Sequence, residues 1–141
     1  MTDLNLAAYP HMGIANPVSD DAVGAMLDRT DLTPGDRVAE LGCGNAALAV
    51  LMARRGLDVL AVDRGEAMVD IARQRVAAAG VGDRVQVRTG EAASVADAQG
   101  PFRLVAALGT TQLGDFGRLG GWIVPGGWLL WGDLFWVEAP A

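Results

Sequence analysis

The sequence has a single cysteine, Cys43, so no internal disulfide can form and the cytoplasm is the expected compartment. It has no basic cluster. The formal net charge is −6, and phosphate-backbone binding needs grouped cationic side chains, so nucleic acid is not an expected partner. No partner for a metal site stands beside Cys43, and no metal is expected. The N-terminus lacks a basic segment followed by an apolar run, so no signal peptide is read. Apolar stretches are broken by Gly, Pro or charge well short of the ~20 residues a membrane helix needs, which excludes a membrane span. Repeats and low-complexity tracts are absent as well.

What is present is a folding composition. Of 141 residues, 51% are apolar and 20% charged, which suits one globular domain with one packed core. Residues 1–18 read as an irregular lead-in, with Pro10, Gly13 and Pro17 as breakers. Ser19-Asp20-Asp21 starts a helix over 19–31: a capping hydroxyl, then carboxylates at the positive end of the dipole. The α/β core is expected over 37–134. Arg37–Leu41 reads as a strand, Ala46–Arg55 as a helix stopped by Gly56, and Val59–Val62 as a second strand. Glu66–Ala79 is a helix with Met68, Ile71, Ala72 and Val76 on one face and Gly80 beyond its end. Arg84–Arg88 is a third strand, followed by a loop or short helix over 91–98. Phe102–Leu108 is a fourth strand, and Trp128–Leu134 a fifth, launched by Pro125-Gly126-Gly127.

Strands alternating with helices imply parallel pairing with right-handed crossovers. The fold class is therefore α/β: a Rossmann-like open sheet of about five parallel strands with helices on both faces. A ligand is expected in the crevice at the carboxyl ends of the strands, near the switch in strand order. Gly42-Cys43-Gly44-Asn45-Ala46-Ala47 fits G-x-G-x-x-A directly after a strand and opening a helix. Glycine is needed there because a side chain would block close approach of the backbone to a ligand or strain the turn. Asp63 ends the second strand about twenty residues later, where a carboxylate can accept both hydroxyls of a ribose.

Two ligand classes fit this pattern, a dinucleotide and an adenosyl sulfonium. Glu40, two positions before the first glycine, favours the second, because dinucleotide folds usually carry an apolar residue there. The helical unit before the first strand points the same way. So do Gly90-Glu91-Ala92 after the third strand, placed to present a carboxylate and amides to an adenine, and Val124-Pro125-Gly126-Gly127.

From about residue 13 to residue 136 the chain resembles the class I S-adenosylmethionine-dependent methyltransferases. Val38-Ala39-Glu40-Leu41-Gly42-Cys43-Gly44 is similar to the family's first motif, and Ala61-Val62-Asp63 to its second-strand acidic motif. Gly90-Glu91-Ala92 resembles the adenine-contacting segment, and Val124-Pro125-Gly126-Gly127-Trp128-Leu129-Leu130 the turn into strand five. The lead-in Gly13-Ile14-Ala15-Asn16-Pro17-Val18-Ser19 and the ending Gly132-Asp133-Leu134-Phe135-Trp136 resemble a bacterial branch acting on small molecules. The resemblance implies S-adenosylmethionine as cofactor and a small-molecule methyl acceptor. It places Glu40 and the backbone amides of Gly42, Cys43 and Gly44 at the methionine end and Asp63 at the ribose, and counts Arg64 and Met68 among the cofactor-binding residues. Gly90, Glu91 and Ala92 would meet the adenine. Ala107, Leu108, Gly109 and Thr110 would lie under the sulfonium and face the acceptor.

Three departures stand out. Ala46 occupies a position where a third glycine is common. Arg103 replaces an acidic residue that often opens strand four, away from the ligand end. The family usually continues past strand five with a helix and an antiparallel strand pair; here the sequence stops at Ala141, so either the chain is shortened or a minimal version takes its missing wall from another subunit. Trp122, Trp128, Trp131 and Trp136 cluster in the last segment. Strand five reads as buried on both faces yet as an uncovered edge, which predicts homodimerisation through residues 122–136. Of these, Trp128 and Trp131 are expected in the core.

Methyl transfer from a sulfonium is an in-line displacement, in which the protein mainly orients and desolvates. A base helps only if the acceptor must lose a proton. His11, near Tyr9 in the lead-in, has the right intrinsic pKa and is the catalytic candidate, with an exposed surface residue as the alternative. Asp133 is a second candidate. No Asn/Asp-Pro-Pro-aromatic signature for methylating nucleic acid bases occurs at Leu108-Gly109-Thr110-Thr111. The alternatives to a methyltransferase are a cofactor-binding module without catalysis and a nicotinamide-dependent oxidoreductase.

Overall fold

A computed structural model describes residues 7, 9–14, 18–110 and 113–132. After a single 3-10 turn at Tyr9–His11, the elements are α1 (Asp20–Asp28), β1 (Arg37–Leu41), α2 (Ala47–Arg54), β2 (Asp58–Asp63) and α3 (Glu66–Ala78). They continue with β3 (Val85–Thr89), α4 (Ala92–Gln99), β4 (Phe102–Leu108), α5 (Phe116–Gly121) and β5 (Ile123–Gly132). Ser19 caps α1 as the sequence suggests, its hydroxyl accepting from the Ala22 amide at 3.1 Å. Among the described residues no helix is long and apolar enough to cross a membrane.

The five strands form one parallel sheet in the order β3-β2-β1-β4-β5. The order reverses between β1 and β4, so their carboxyl ends open the crevice that such sheets offer to ligands. Side chains alternate across the sheet. Val38, Val59, Ala61, Leu104 and Ala106 join α1, α2 and α3 in one buried cluster; Ala39, Leu41, Leu60, Val62, Val105 and Ala107 join α4 and α5 in the other. The chain therefore has helices on both faces, and among the described residues no antiparallel strand pair follows β5.

Strand five differs from its expected outline. It begins at Ile123, and Pro125-Gly126-Gly127 lies inside it as a bulge rather than before it: Ile123 pairs with Phe102, but Trp128 already pairs with Leu104. The backbone explains the residue choice. Gly126 has φ +76°, and a Cβ on Gly127 would meet Ile123 Cγ2 at 2.5 Å and the Arg103 carbonyl at 2.8 Å. The strand is half-buried, with Pro125, Gly126 and Trp128 exposed, rather than buried on both faces.

The tryptophans divide accordingly. Trp122 follows α5 and is buried, donating from Nε1 to Asp97 at 2.7 Å. Trp128 is 38% exposed, which corrects its expected place in the core, and donates to Asp31 at 2.7 Å. Asp31 also pairs with Arg103 at 2.7 Å, so Arg103 sits at the amino end of β4, far from the crevice. Trp131 is half-buried against Phe116, with ring centroids 5.9 Å apart. Asp133, Leu134, Phe135 and Trp136 lie outside the described residues. Helix α5 had no sequence reading; its signal is Asp115, whose carboxylate caps it by accepting from the Arg118 amide at 2.8 Å.

Candidate functional site

The turn after β1 is built from backbone that few side chains tolerate. Gly42 has φ +74°, Gly44 φ +50° and Ala46 φ 59°. Ala46, where glycine is common, thus holds a left-handed conformation with its methyl fully buried, a mild strain offset by packing. A Cβ on Gly42 would come within 1.9 Å of Thr110 Oγ1. Thr110 in turn donates to the Leu41 carbonyl at 3.2 Å, tying the end of β4 to the end of β1 across the switch in strand order.

The amides of this turn are already engaged. Gly42 and Cys43 both donate to the Val62 carbonyl at 2.8 Å, and Gly44 donates to Asp63 Oδ2 at 3.0 Å. These three amides fix the turn against β2, and the glycines leave room for close approach to the backbone. Asp63 Oδ1 also accepts from the Gly65 amide at 2.9 Å. Each carboxylate oxygen retains a lone pair, so Asp63 is held rigidly by two amides and remains able to accept from two hydroxyls.

Asp63, Arg64, Gly42, Gly90, Glu91, Ala92, Gly109, Thr110 and Leu113 line a cleft of about 260 Å³ at the carboxyl ends of β1, β2, β3 and β4. Sequence reasoning named eight of these nine. Leu113 was missed, since nothing in its neighbourhood marks a buried turn residue. Glu91 is placed there, but its carboxylate caps α4: Oε1 accepts from Ala93 at 3.2 Å and Oε2 from Ser94 at 2.8 Å. The Ser94 hydroxyl donates to it at 2.5 Å, and this bond, first among the causes, holds the Glu91 pKa below the usual carboxylate range.

Other expected contacts sit behind the cleft. Cys43, Met68 and Ala107 are buried and Leu108 is half-buried; none of them lines it. Burial, with Glu40 and Asp63 beside it, pushes the Cys43 thiol pKa far up, so it stays protonated and inert. Glu40 is 6% exposed, on the sheet face that α2 covers. The Ala49 amide serves its carboxylate, but Oε2 has no hydrogen-bond partner. Desolvation, then the nearby Asp63 charge, raises its pKa well above the ordinary value.

His11 lies elsewhere. It is exposed and lines a second, larger cleft of about 810 Å³ between α2 and α3, with Pro10, Met12, Arg54 and Arg75 among its neighbours. Two side chains fasten this part of the lead-in. Asn45 Nδ2 donates to the carbonyls of Met12 at 3.3 Å and Gly13 at 2.9 Å, while its Oδ1 accepts from Ala47 at 3.1 Å. Arg75 donates to the carbonyls of Pro10, at 2.9 Å, and Met12. The 260 Å³ cleft, though smaller, is the functional candidate, because the turn, the acidic strand end and the switch in strand order all converge on it.

The residues fit an adenosyl amino acid. A glycine cradle that a Cβ would fill, a pre-positioned carboxylate for a ribose and an orphaned buried carboxylate oxygen beside the turn match its hydroxyl and ammonium donors. Among the described residues no group of acidic, Cys or His side chains could hold a metal.

Comparison with known proteins agrees. A family profile described as a methyltransferase domain matches residues 38–118. Over 118 residues the chain is 36% identical to the protein-L-isoaspartate O-methyltransferase of Methylorubrum extorquens, covering 77% of this chain and 51% of that protein. Over 47 residues, 33% of this chain and 20% of the relative, it is 45% identical to the ubiquinone biosynthesis O-methyltransferase of Hahella chejuensis. A methyltransferase from Geobacter sulfurreducens, crystallised with S-adenosyl-L-homocysteine, superposes with a TM-score of 0.77 at 25% identity, covering 96% of this chain and 57% of that one. Another from Thiobacillus denitrificans shares the fold with a TM-score of 0.82 at 24% identity, over 99% and 58%. The chain spans about half the length of the curated relatives it matches.

Proposed function

The chain belongs to the class I S-adenosylmethionine-dependent methyltransferase family, and on that premise we propose that it binds S-adenosylmethionine in the cleft at Gly42, Asp63 and Gly90 and transfers its methyl group to a small molecule in the cytoplasm. The observation that carries the cofactor reading is Asp63: two backbone amides lock its carboxylate at the end of β2 with both oxygens still able to accept. When bound, the sulfonium supplies an activated methyl group. The chain's part is to orient and to exclude water. Asp63 accepts from the ribose hydroxyls, Gly90 and Ala92 bound the adenine, and Gly109 and Thr110 line the side from which an acceptor approaches. Glu91 shapes this wall by capping α4 rather than by pairing with the base. Glu40 serves the cationic methionine end. Among the described residues of the cleft the carboxylates of Asp63 and Glu91 are engaged by backbone amides rather than poised as bases, so an acceptor that is already nucleophilic fits best.

A small acceptor is supported by the acidic overall charge and by the missing Asn/Asp-Pro-Pro-aromatic signature at Leu108-Gly109-Thr110-Thr111, both of which disfavour nucleic acid. The relatives include enzymes named for protein isoaspartate and for ubiquinone biosynthesis, so the test must separate the two classes. Incubation with methyl-labelled S-adenosylmethionine and separate pools of small metabolites and isoaspartyl peptides should label only the former. Labelled peptide would transfer the assignment to a protein acceptor.

A second reading is a binding module without catalysis. It is favoured by one observation: among the described residues β5 pairs with β4 alone, so no further strand borders that edge of the sheet. Homodimerisation through residues 122–136 would complete that side. The edge over 123–132 carries no charged residue to discourage pairing, and Trp128 and Phe116 are exposed beside it. Sedimentation of the chain should show a dimer at high concentration that Leu130→Lys dissociates; a monomer throughout would remove this proposal.

A further inference from the structure

Glu40 is an ionisable side chain inside a helix-covered sheet face. Its strand neighbours in register are Ala61 and Ala106, both members of the buried cluster that α1, α2 and α3 cover. Of the titratable groups, Asp63 faces it from β2 and Cys43 from the turn. No ion pair among the described residues includes it. Its only compensation is the Ala49 amide in the first turn of α2; Oε2 has none. An ionised carboxylate with no cation, one orphaned oxygen and a second carboxylate beside it is expensive in a buried site, and such groups neutralise instead.

We propose that Glu40 holds its proton in the free protein and releases it when the α-ammonium of the adenosyl ligand enters the site, so that cofactor binding is proton-coupled. This rests on the S-adenosyl reading of the cleft. The step balances simply. The carboxyl O–H bond breaks, the proton passes to solvent, and the carboxylate left behind pairs with an ammonium that was charged before binding. No electron changes hands. The ligand thus supplies the cation that the fold omits, and the orphaned Oε2 gains its partner.

A pH dependence follows. Below the free-protein pKa of Glu40 each binding event expels a proton, so affinity rises with pH. Above it the carboxylate is already ionised, and affinity levels off. A sulfonium analogue lacking the amino group has nothing to exchange for the proton, so its affinity should not rise with pH in this way.

Calorimetric titration of the chain with S-adenosylhomocysteine in phosphate and in imidazole, both near pH 6.5, tests this. The difference in observed enthalpy between buffers counts protons. Net proton release on ligand binding is expected, falling toward zero in Glu40→Gln, which keeps an acceptor for the Ala49 amide. Infrared difference spectra of the unmutated chain give an independent reading: the carboxylic-acid C=O stretch should disappear on ligand addition. Tight binding with a buffer-independent enthalpy and no loss of that band overturns the proposal, as does undiminished proton release in Glu40→Gln. Absence of any S-adenosylhomocysteine binding overturns the reading of the site itself, and this inference with it.

Discussion

The centre of the sheet and its β5 edge are built on opposite terms. At the centre, the turn after β1 is over-determined: three amides bind β2, Thr110 bolts β4 to β1, and Asp63 is held by two backbone donors. Along β5 the strand is half-buried to exposed, pairs on one side only among the described residues and absorbs a bulge at Pro125-Gly126-Gly127. The difference teaches how labour is divided. A cofactor common to many acceptors is served by a rigid, self-sufficient half-sheet. On the proposed function the acceptor meets a less constrained margin, whose outer strand pairs only with β4 among the described residues.

Matched glycine substitutions should break or sharpen this contrast. Gly42→Ala places a methyl within 1.9 Å of Thr110 Oγ1 at a positive φ. Overpacking and backbone strain together should cost about 2–4 kcal/mol in urea denaturation. At the edge, Gly126 has a similar φ of +76° but nothing within 4 Å of a Cβ. Gly126→Ala should cost only about 1 kcal/mol, the left-handed penalty less the entropy lost from the unfolded chain. Equal costs at the two sites would erase the distinction between a packed centre and a loose edge.

Between these in size lies the Glu40 carboxyl. Its folded pKa is raised while its unfolded value is near 4.3, so stability is fully present below the unfolded value and is lost as pH rises through the folded one. Glu40→Gln should therefore match the unmutated chain in acid and be more stable above that window. The gain should be roughly 1–3 kcal/mol, the cost of a buried group without its partners. Thermal melts across pH check the sign, and a variant less stable at neutral pH would show that the carboxylate is compensated in the free chain.

Much of this was legible in the sequence because the signals were local. The strand-turn-helix at Glu40–Ala47, the acidic end of β2 and the Ser19 cap depend on neighbours a few residues apart, and each appears where it was read. What the sequence hid depends on distant groups. That the Gly42, Cys43 and Gly44 amides are spent on Val62 and Asp63 is a fact of β1–β2 packing. Glu91 was recognised as part of the site, but its use as the α4 cap depends on how Ser94 turns. His11 looked like a base because it is the sole histidine; Asn45 and Arg75 fasten its segment beside a different cleft. The bulge in β5 escaped because Pro-Gly-Gly reads equally as a turn before a strand and as a bulge within one.

The central claim is that Asp63 and the turn around Gly42 form an adenosyl site complete within this chain. Titrating the chain with S-adenosylhomocysteine and with NAD, alongside Asp63→Ala, tests it most directly. The expected result is binding of the adenosyl compound but not NAD, at an affinity that does not change with protein concentration and falls by about 1–3 kcal/mol in Asp63→Ala, the cost of losing charge-assisted hydrogen bonds. Binding of NAD without S-adenosylhomocysteine, or an affinity indifferent to Asp63, would contradict it.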